Sequence, residues 1–325
     1  MKLIIQIPCL NEEETLPETV ADLPRQIDGV DEIEYLIIDD GSTDNTVTVA
    51  RSIGVHHVVS HDTNKGLAVA FSTGLNACLE RGADIIVNTD GDNQYPGNAI
   101  PDLVRPIIQR QADMVIGDRQ THTIAHFSPV KKYLQDLGSR VVRYVSGTSV
   151  PDAPSGFRAL SREAALRINI FTGYSYTLET IIQAGKKNLT VGHVSVTTNP
   201  KTRESRLMKS TFSYVLRSGT TIMRLFLLYE PLRTFLYISV PFLLLGSVLW
   251  GRYLVLVLLG EASRGSNIQS IVVGAVAILI GFLIAMLGLI GELIAINRQL
   301  HEETLYQLKR MRFGFTDHQS TTDNG

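Results

Sequence analysis

Through the first part of the chain, apolar residues come in short runs separated by amphipathic stretches, a pattern that predicts strands alternating with helices. Leu3–Ile7 reads as a first strand, and Glu12–Gln26 as a helix with acids in its first turn, where they suit the helix dipole. Tyr35–Asp39 is a second strand, followed by a helix from Thr43 or Asp44 to about Ile53. His57–Ser60 is a short third strand, Gly66–Arg81 a helix, and Asp84–Val87 a central strand. Ile100–Arg110 and Met114–Ile116 continue the alternation. Phe127–Gly147 reads as a helix whose Lys131, Lys132, Arg140 and Arg143 form a solvated basic face. Tyr174–Ala184 is a helix and Leu189–Val196 an alternating strand. Apolar strands alternating with helices predict an α/β fold with a mostly parallel, doubly wound sheet, whose ligands bind outside the strand carboxyl ends.

The pattern changes after about residue 205. Met208, Phe212, Val215, Gly219, Ile222, Phe226 and Tyr229 recur at helical spacing, with Arg206, Arg217 and Arg224 on another face. That arrangement suits a helix lying in a membrane interface over 206–230. Two spans follow, at about 235–260 and 270–292, within a membrane segment 231–297. The first is interrupted by Arg252; Ser270–Gly291 in the second carries no charge and can cover a hydrocarbon core of about 30 Å. Lys201, Lys209, Arg217, Arg224 and Arg233 precede the spans, Arg298, Lys309, Arg310 and Arg312 follow them, and the connecting loop holds Arg264. By the positive-inside rule, both termini and the domain at 1–205 are expected on the cytoplasmic side of the cell membrane, with 298–325 as a cytoplasmic tail. His301–Arg312 is expected to continue as a surface helix. Gly274, Gly281 and Gly288, seven apart, offer a packing stripe that could serve a homo-oligomer.

Composition narrows the chemistry. The 325 residues carry a formal charge of −2, so no basic footprint for nucleic acid is present. Cys9 and Cys78 have no zinc or redox spacing and read as reduced thiols. The amino terminus lacks the apolar core of a secretory signal. His56, His57 and His61 read as surface and partly buried residues around a short strand. The chemistry-bearing residues fall instead at successive strand ends. These ends carry Pro8, Leu10, Asn11, Glu12 and Glu13, then Asp39-Asp40-Gly41-Ser42-Thr43-Asp44, then Asn64-Lys65-Gly66, then Asp90-Gly91-Asp92, then Gly117-Asp118-Arg119. In extended backbone, residues i and i+2 point the same way, so Asp90 and Asp92 can face one spot. Two carboxylates there suit Mg²⁺ or Mn²⁺ with positions left for phosphate oxygens. A lone Asp-x-Asp is more often an acidic turn; the four other strand ends distinguish this one.

The series Ile-Pro-x-Leu-Asn-Glu-Glu, Ile-Asp-Asp-Gly-Ser-Thr-Asp, Asn-x-Gly and Asp-x-Asp-x-Gln resembles the family 2 glycosyltransferases over roughly residues 1–230. The likeness is nearest to the polyisoprenyl-phosphate and dolichol-phosphate mannose synthase branch with two carboxyl-terminal spans. It implies the GT-A fold, a nucleotide-sugar-binding α/β domain. It also implies that Pro8, Leu10, Asn11, Glu12, Lys65 and Gly91 line the nucleotide, and that Asp39 or Asp40 meets the base. Asp90 and Asp92 would hold ribose, metal and pyrophosphate, and Gln94 would complete the metal shell. Arg119 either clamps the phosphates or sugar with paired donors or forms a surface ion pair with Asp118.

Pro151-Asp152-Ala153-Pro154-Ser155-Gly156-Phe157-Arg158 resembles the acceptor loop of that branch. Ser155 and Arg158 are thus expected near an acceptor phosphate. Asp152 is a candidate general base, although a phosphate monoester with a second pKa near 6 is already largely ionised at neutral pH. Asp152 could instead orient a sugar hydroxyl or cap the loop. Glu179 could lie near the sugar. Thr202-Arg203-Glu204-Ser205-Arg206-Leu207 departs from the usual family spacing, and Arg203 and Arg206 are candidates for holding the diphosphate and the acceptor phosphate. The expected activity is inverting transfer of a hexose from a UDP- or GDP-sugar to a polyprenyl phosphate. The rivals are a processive polysaccharide synthase, which lacks its Gln-x-x-Arg-Trp motif here because Trp250 is the sole tryptophan, and an inactive membrane scaffold.

Overall fold

The computed structural model describes residues 1–119, 129–170, 176–199, 220, 223–224, 227–260 and 268–314. The chain divides into two units, Met1–Leu216 with Glu302–Gly325, and Arg217–His301. The first is built on seven strands: β1 Lys2–Cys9, β2 Glu32–Asp39, β3 His57–Ser60, β4 Ile85–Asn88, β5 Met114–Asp118, β6 Arg158–Ser161 and β7 Val191–Ser195. Its helices are α1 Leu16–Asp22, α2 Thr46–Ser52, α3 Leu67–Glu80, α4 Ile100–Ile108, α5 Pro129–Ser146, α6 Arg162–Arg167 and α7 Tyr176–Lys186. The sheet order is β3-β2-β1-β4-β6-β5-β7. All neighbours are parallel except at β6, which runs antiparallel to both β4 and β5.

The central strands are apolar on both faces because helices cover both faces. Leu3, Ile4, Ile5, Ile7, Leu36, Ile37, Ile38, Ile85, Ile86 and Val87 are fully buried. Each such side chain contributes about 1.5–3 kcal/mol relative to exposure. Register then sets the site. Cys9 pairs with Asp39, Gln6 with Asn88, and Asp118 with Ser195, so the carboxyl ends of the parallel strands share one edge. Antiparallel β6 brings its amino end to that edge, with Arg158 paired to both Asn88 and Ile116. The loop entering β6 therefore arrives where the other strands leave.

The second unit contains α8, Pro231–Leu258, and most of α9, Ile268–Phe313. Both helices are long and apolar enough to cross a membrane. Arg252 does not interrupt α8. Side chains such as Leu244, Val248, Leu258, Val272, Leu279 and Leu283 are exposed, unlike those of a soluble protein's core helix, and contiguous apolar surface of this kind suits a membrane or another apolar partner. The two helices pack closely. An added Cβ at Gly274 would lie 2.6 Å from Trp250 Cδ1, at Gly281 2.8 Å from Leu243 Cδ2, and at Gly288 3.0 Å from Phe235 Cβ. The glycine stripe thus seats the neighbouring span of the same chain, and the Trp250 indole donates to the Ile271 carbonyl at 3.2 Å.

The last turns of α9 belong to the first unit. Tyr306 and Phe313 are buried. The Tyr306 hydroxyl donates to Glu163 at 2.9 Å beneath the Arg167 guanidinium, Glu302 pairs with Lys187 at 3.0 Å, and Arg312 pairs with Glu80 at 2.6 Å. This stretch, expected as a surface helix, is largely exposed but is tied by these contacts to α6, to the end of α3 and to Lys187 just after α7. Most of the expected interfacial helix 206–230, the loop at 261–267 with Arg264, and the tail from 315 lie outside the described residues.

Candidate active site

Four polar turns meet at the shared strand edge. After β1, Asn11 adopts a left-handed conformation (φ 55°). Its backbone N–H donates to Ser42 Oγ at 2.9 Å, while its Oδ1 accepts from the Thr43 N–H at 2.8 Å. The Glu12 N–H donates to Thr46 Oγ1, and its carboxylate accepts from Thr15 at 2.8 Å. Thr15 and Thr19 also donate to the Gly91 carbonyl, tying the first turn to the acidic one. Pro8 is buried within β1, Leu10 half-buried, and Glu12 buried.

After β2, Asp39 and Asp40 are both buried but differ in employment. Asp39 accepts from the Ser42 N–H at 3.0 Å, closing its own turn. Asp40 accepts from the Lys65 and Gly66 N–H groups at 2.9 and 2.8 Å and pairs with His61 Nδ1 at 2.8 Å. The Lys65 side chain is exposed.

After β4, Asp90, Asp92 and Gln94 are half-buried around a buried Gly91. Burial and the neighbouring Asp92 charge push the Asp90 carboxyl up to about 6, against the pull of Arg119 and Arg158. Asn93 takes the left-handed conformation (φ 53°), and its Oδ1 is buried without a hydrogen-bond partner among the described residues. Non-glycine residues held there store strain, which persists where surrounding structure enforces it. Asn199 fixes this turn by donating to the Asn93 and Gln94 carbonyls, both at 2.9 Å. The donor set fits a hard divalent cation: two carboxylates and an amide oxygen on one turn. No group of three His, Cys, Asp or Glu ligands occurs among the described residues. Asp90, Asp92 and Gln94 would form a partial shell, suited to an ion that takes further oxygens from phosphate. Burial first, and the Asp92 charge second, raise the Asp90 pKa, and a cation bound there would offset both.

After β5, Arg119 forms a two-pronged ion pair with Asp152, not with Asp118. Its Nε meets Oδ2 at 2.7 Å and an Nη meets Oδ1 at 2.9 Å; its backbone N–H adds a third bond at 3.2 Å. Burial opposes the guanidinium charge, but Tyr95 and Asp152 outweigh it and hold the pKa above its ordinary value. Asp152 is 1% exposed and Arg119 16%. In the loop entering β6, Ser155 is fully buried. Arg158 is also fully buried, donating to the Ser155 and Thr177 carbonyls and to Thr180 Oγ1, with its guanidinium 5.4 Å from the Tyr176 ring centre. Its visible work is to hold the loop's shape. Gly156 is closely approached there: a Cβ would lie 2.9 Å from the Tyr176 hydroxyl and 3.2 Å from Asp90 Oδ1, so a larger residue needs one of them to shift. Glu179 is buried near Gln183.

Arg203 and Arg206 lie outside the described residues, as do the side chains of Lys131 and Lys132. Three supporting residues escaped sequence reasoning. Asn88 donates to the Gly156 carbonyl at 2.9 Å and accepts from Gln6, joining acidic turn and loop. Its signal was a polar residue closing an apolar run. Tyr95 stacks on Phe157 with ring centres 4.9 Å apart, and Tyr176 stacks on Phe71 at 4.2 Å; nothing in their local sequence marks them.

Comparison with known proteins places this geometry. Residues 4–168 match the model of glycosyl transferase family 2. An undecaprenyl-phosphate mannosyltransferase of Micrococcus luteus is 28% identical over 61% of this chain and 83% of its own length. A UDP-N-acetylglucosamine–dolichyl-phosphate N-acetylglucosaminyltransferase of Methanococcus voltae is 30% identical over 59% of this chain and 83% of its own. The solved structure of glucosyl-3-phosphoglycerate synthase from Mycobacterium tuberculosis, in complex with Mn²⁺, UDP and glucosyl-3-phosphoglycerate, superposes with a TM-score of 0.54 at 21% identity. It covers 70% of this chain and 78% of the other, and shows the shared fold. With its mostly parallel sheet, its polar strand ends and this family match, the chain belongs to glycosyl transferase family 2 and is a glycosyltransferase.

Proposed function

We propose that this enzyme transfers a hexose, with inversion, from a UDP- or GDP-sugar to a polyprenyl phosphate at the cytoplasmic face of the cell membrane. The observation that carries the reading is the meeting of the Asp90–Gln94 turn with the Arg119–Asp152 pair and the loop entering β6. The names of the Micrococcus and Methanococcus relatives, both lipid-phosphate sugar transferases, support the acceptor. The two apolar helices explain why a soluble-type catalytic unit is tied to a bilayer: its acceptor resides there. Basic residues flanking the spans favour cytoplasmic termini.

Pro8, Leu10, Asn11 and Glu12 line the nucleotide, and Asp39 accepts from the base. Asp90, Asp92 and Gln94 hold Mg²⁺ or Mn²⁺, which offsets the charge developing on the departing diphosphate. Arg119, fixed by Asp152, directs its remaining donors at phosphate or sugar. Asp152 acts as a positioning residue, since an ionised lipid phosphate needs placement and charge compensation more than proton removal. Ser155 and Arg158 shape the acceptor loop, and Arg203 and Arg206 meet phosphate from the segment before the membrane.

The test incubates purified, detergent-solubilised protein with Mg²⁺ or Mn²⁺, polyprenyl phosphate and a panel of labelled UDP- and GDP-sugars. Label entering the organic phase from one donor, and lost in Asp92→Asn, is the expected result. Absence of transfer from every donor, with nucleotide still bound, overturns the acceptor assignment.

A further inference from the structure

The family resemblance leaves Asp39 and Asp40 as alternative partners of the nucleotide base. The structure separates them. Asp40 has both oxygens engaged, by two backbone N–H groups of the Asn64-Lys65-Gly66 turn and by His61. The His61 and Asp40 side chains are only 7% and 6% exposed. A buried carboxylate is tolerated only when its charge is matched by hydrogen bonds or a counter-charge. Nδ1 of His61 must carry a proton, because the carboxylate can only accept; Nε2 then faces Thr73 Oγ1 at 3.0 Å, fixing the ring at its far side. Thr73 lies on α3, Asp40 follows β2 and His61 follows β3, so one imidazole joins two strand ends, a turn and a helix. The turn also rests directly on Gly41, where a Cβ would lie 2.6 Å from the Thr63 carbonyl carbon.

We propose that His61 is a positioning residue for the nucleotide donor: it holds the Asp40 carboxylate, which fixes the turn presenting Lys65, and leaves Asp39 to meet the base. The inference rests on the donor side of the proposed function. A purely structural histidine would alter stability and every kinetic constant together. A positioning histidine alters donor binding selectively and can be replaced by a residue with a donor at the same place. Asn supplies that donor, because its amide nitrogen can occupy the position of Nδ1; Leu does not.

The experiment measures UDP and GDP binding by calorimetry, with Mn²⁺ and in detergent, for the full-length wild type, His61→Leu, His61→Asn and Thr73→Val. Donor KM, acceptor KM and kcat are measured alongside. His61→Leu is expected to weaken nucleotide binding about tenfold and to raise donor KM equally, while kcat and acceptor KM hold within about twofold. His61→Asn should recover most of the affinity. Thr73→Val, which keeps the Asp40 contact but loosens the ring, should weaken binding about threefold. Unchanged affinity in His61→Leu or in Thr73→Val overturns the proposal, as does equal loss in the Leu and Asn variants. A wild type that binds neither nucleotide overturns the donor reading itself.

Discussion

Replacing Asp152 by Asn separates a positioning carboxylate from a proton acceptor. The pair it forms with Arg119 has two side-chain bonds of 2.7 and 2.9 Å and one backbone bond of 3.2 Å. Asn keeps the volume and one acceptor but turns an NH₂ group toward a guanidinium N–H. Hydrogen bonds to charged groups contribute about 1.5–3 kcal/mol each, and breaking a buried pair costs about 3–5 kcal/mol because the remaining charge is stranded. Arg119 keeps some solvent contact, so the lower end applies, about 3 kcal/mol. For a unit of this size that is a fall of about 6–12 °C in thermal midpoint, measured by circular dichroism in detergent. A displacement of Arg119 by about 1 Å would lower kcat/KM about a hundredfold. The acid limb of the pH–rate profile should stay near 6, where the acceptor phosphate titrates and where a proton on Asp90 begins to compete with the metal. Loss of activity with an unchanged midpoint and a vanished acid limb would refute this reasoning and make Asp152 the base.

Four further outcomes are expected. The Asp90 carboxyl at about 6 lies above its unfolded value, so the native state binds the extra proton between about 4 and 6, and stability of the metal-free protein falls as pH rises through that window. Metal must displace that proton, so Mn²⁺ affinity should drop up to about tenfold per pH unit below 6; calorimetry in two buffers would detect the released proton, and Asp90→Asn should abolish it. Gly156→Ala should disrupt both the Tyr176 hydroxyl and the Asp90 carboxylate, costing about 1–3 kcal/mol and most of the activity; unaltered transfer would show that the loop yields. Tyr306→Ala, by emptying a buried site against α6, should destabilise the catalytic unit by about 3 kcal/mol; an unshifted thermal midpoint would mean that the last turns of α9 are dispensable.

Much of the architecture was legible because apolar runs and polar strand ends are local signals. The bounds of β3 coincide with the expected segment, and the apolar core of β4 was plain at Ile85–Val87. What escaped depends on long-range pairing. β6 is four residues, Arg158–Ser161, opened by an arginine that the sequence places in a loop near an acceptor phosphate rather than in a strand. Arg158 is buried because carbonyls and Thr180, from a helix nearly twenty residues later, meet its N–H groups. Arg119 and Asp152 are 33 residues apart and become partners only because antiparallel β6 delivers its entering loop to the carboxyl end of β5. Likewise Tyr306 is one aromatic on a charged helix until α6 is set beside it.

The site's acids also differ in how their charge is answered, and that difference bears on which of them can receive a cation. Asp40 is met by two N–H groups and an imidazole, and Asp152 by a guanidinium fork. Asp44 accepts from its own turn through Thr46 and from the Glu13 N–H. Burial, and then the neighbouring Asp92 charge, push the Asp90 carboxyl up to about 6. A site built only as a turn would have no reason to leave a like-charged pair at a sheet's switch point. One built to share a divalent ion with a diphosphate keeps such a pair together even with Arg119 and Arg158 pulling on Asp90, because protein charges that fully cancelled it would also cancel its affinity for the ion. Donor binding and metal binding should therefore be mutually reinforcing: each supplies the charge the other lacks, and UDP or GDP should bind far more weakly when the metal is removed.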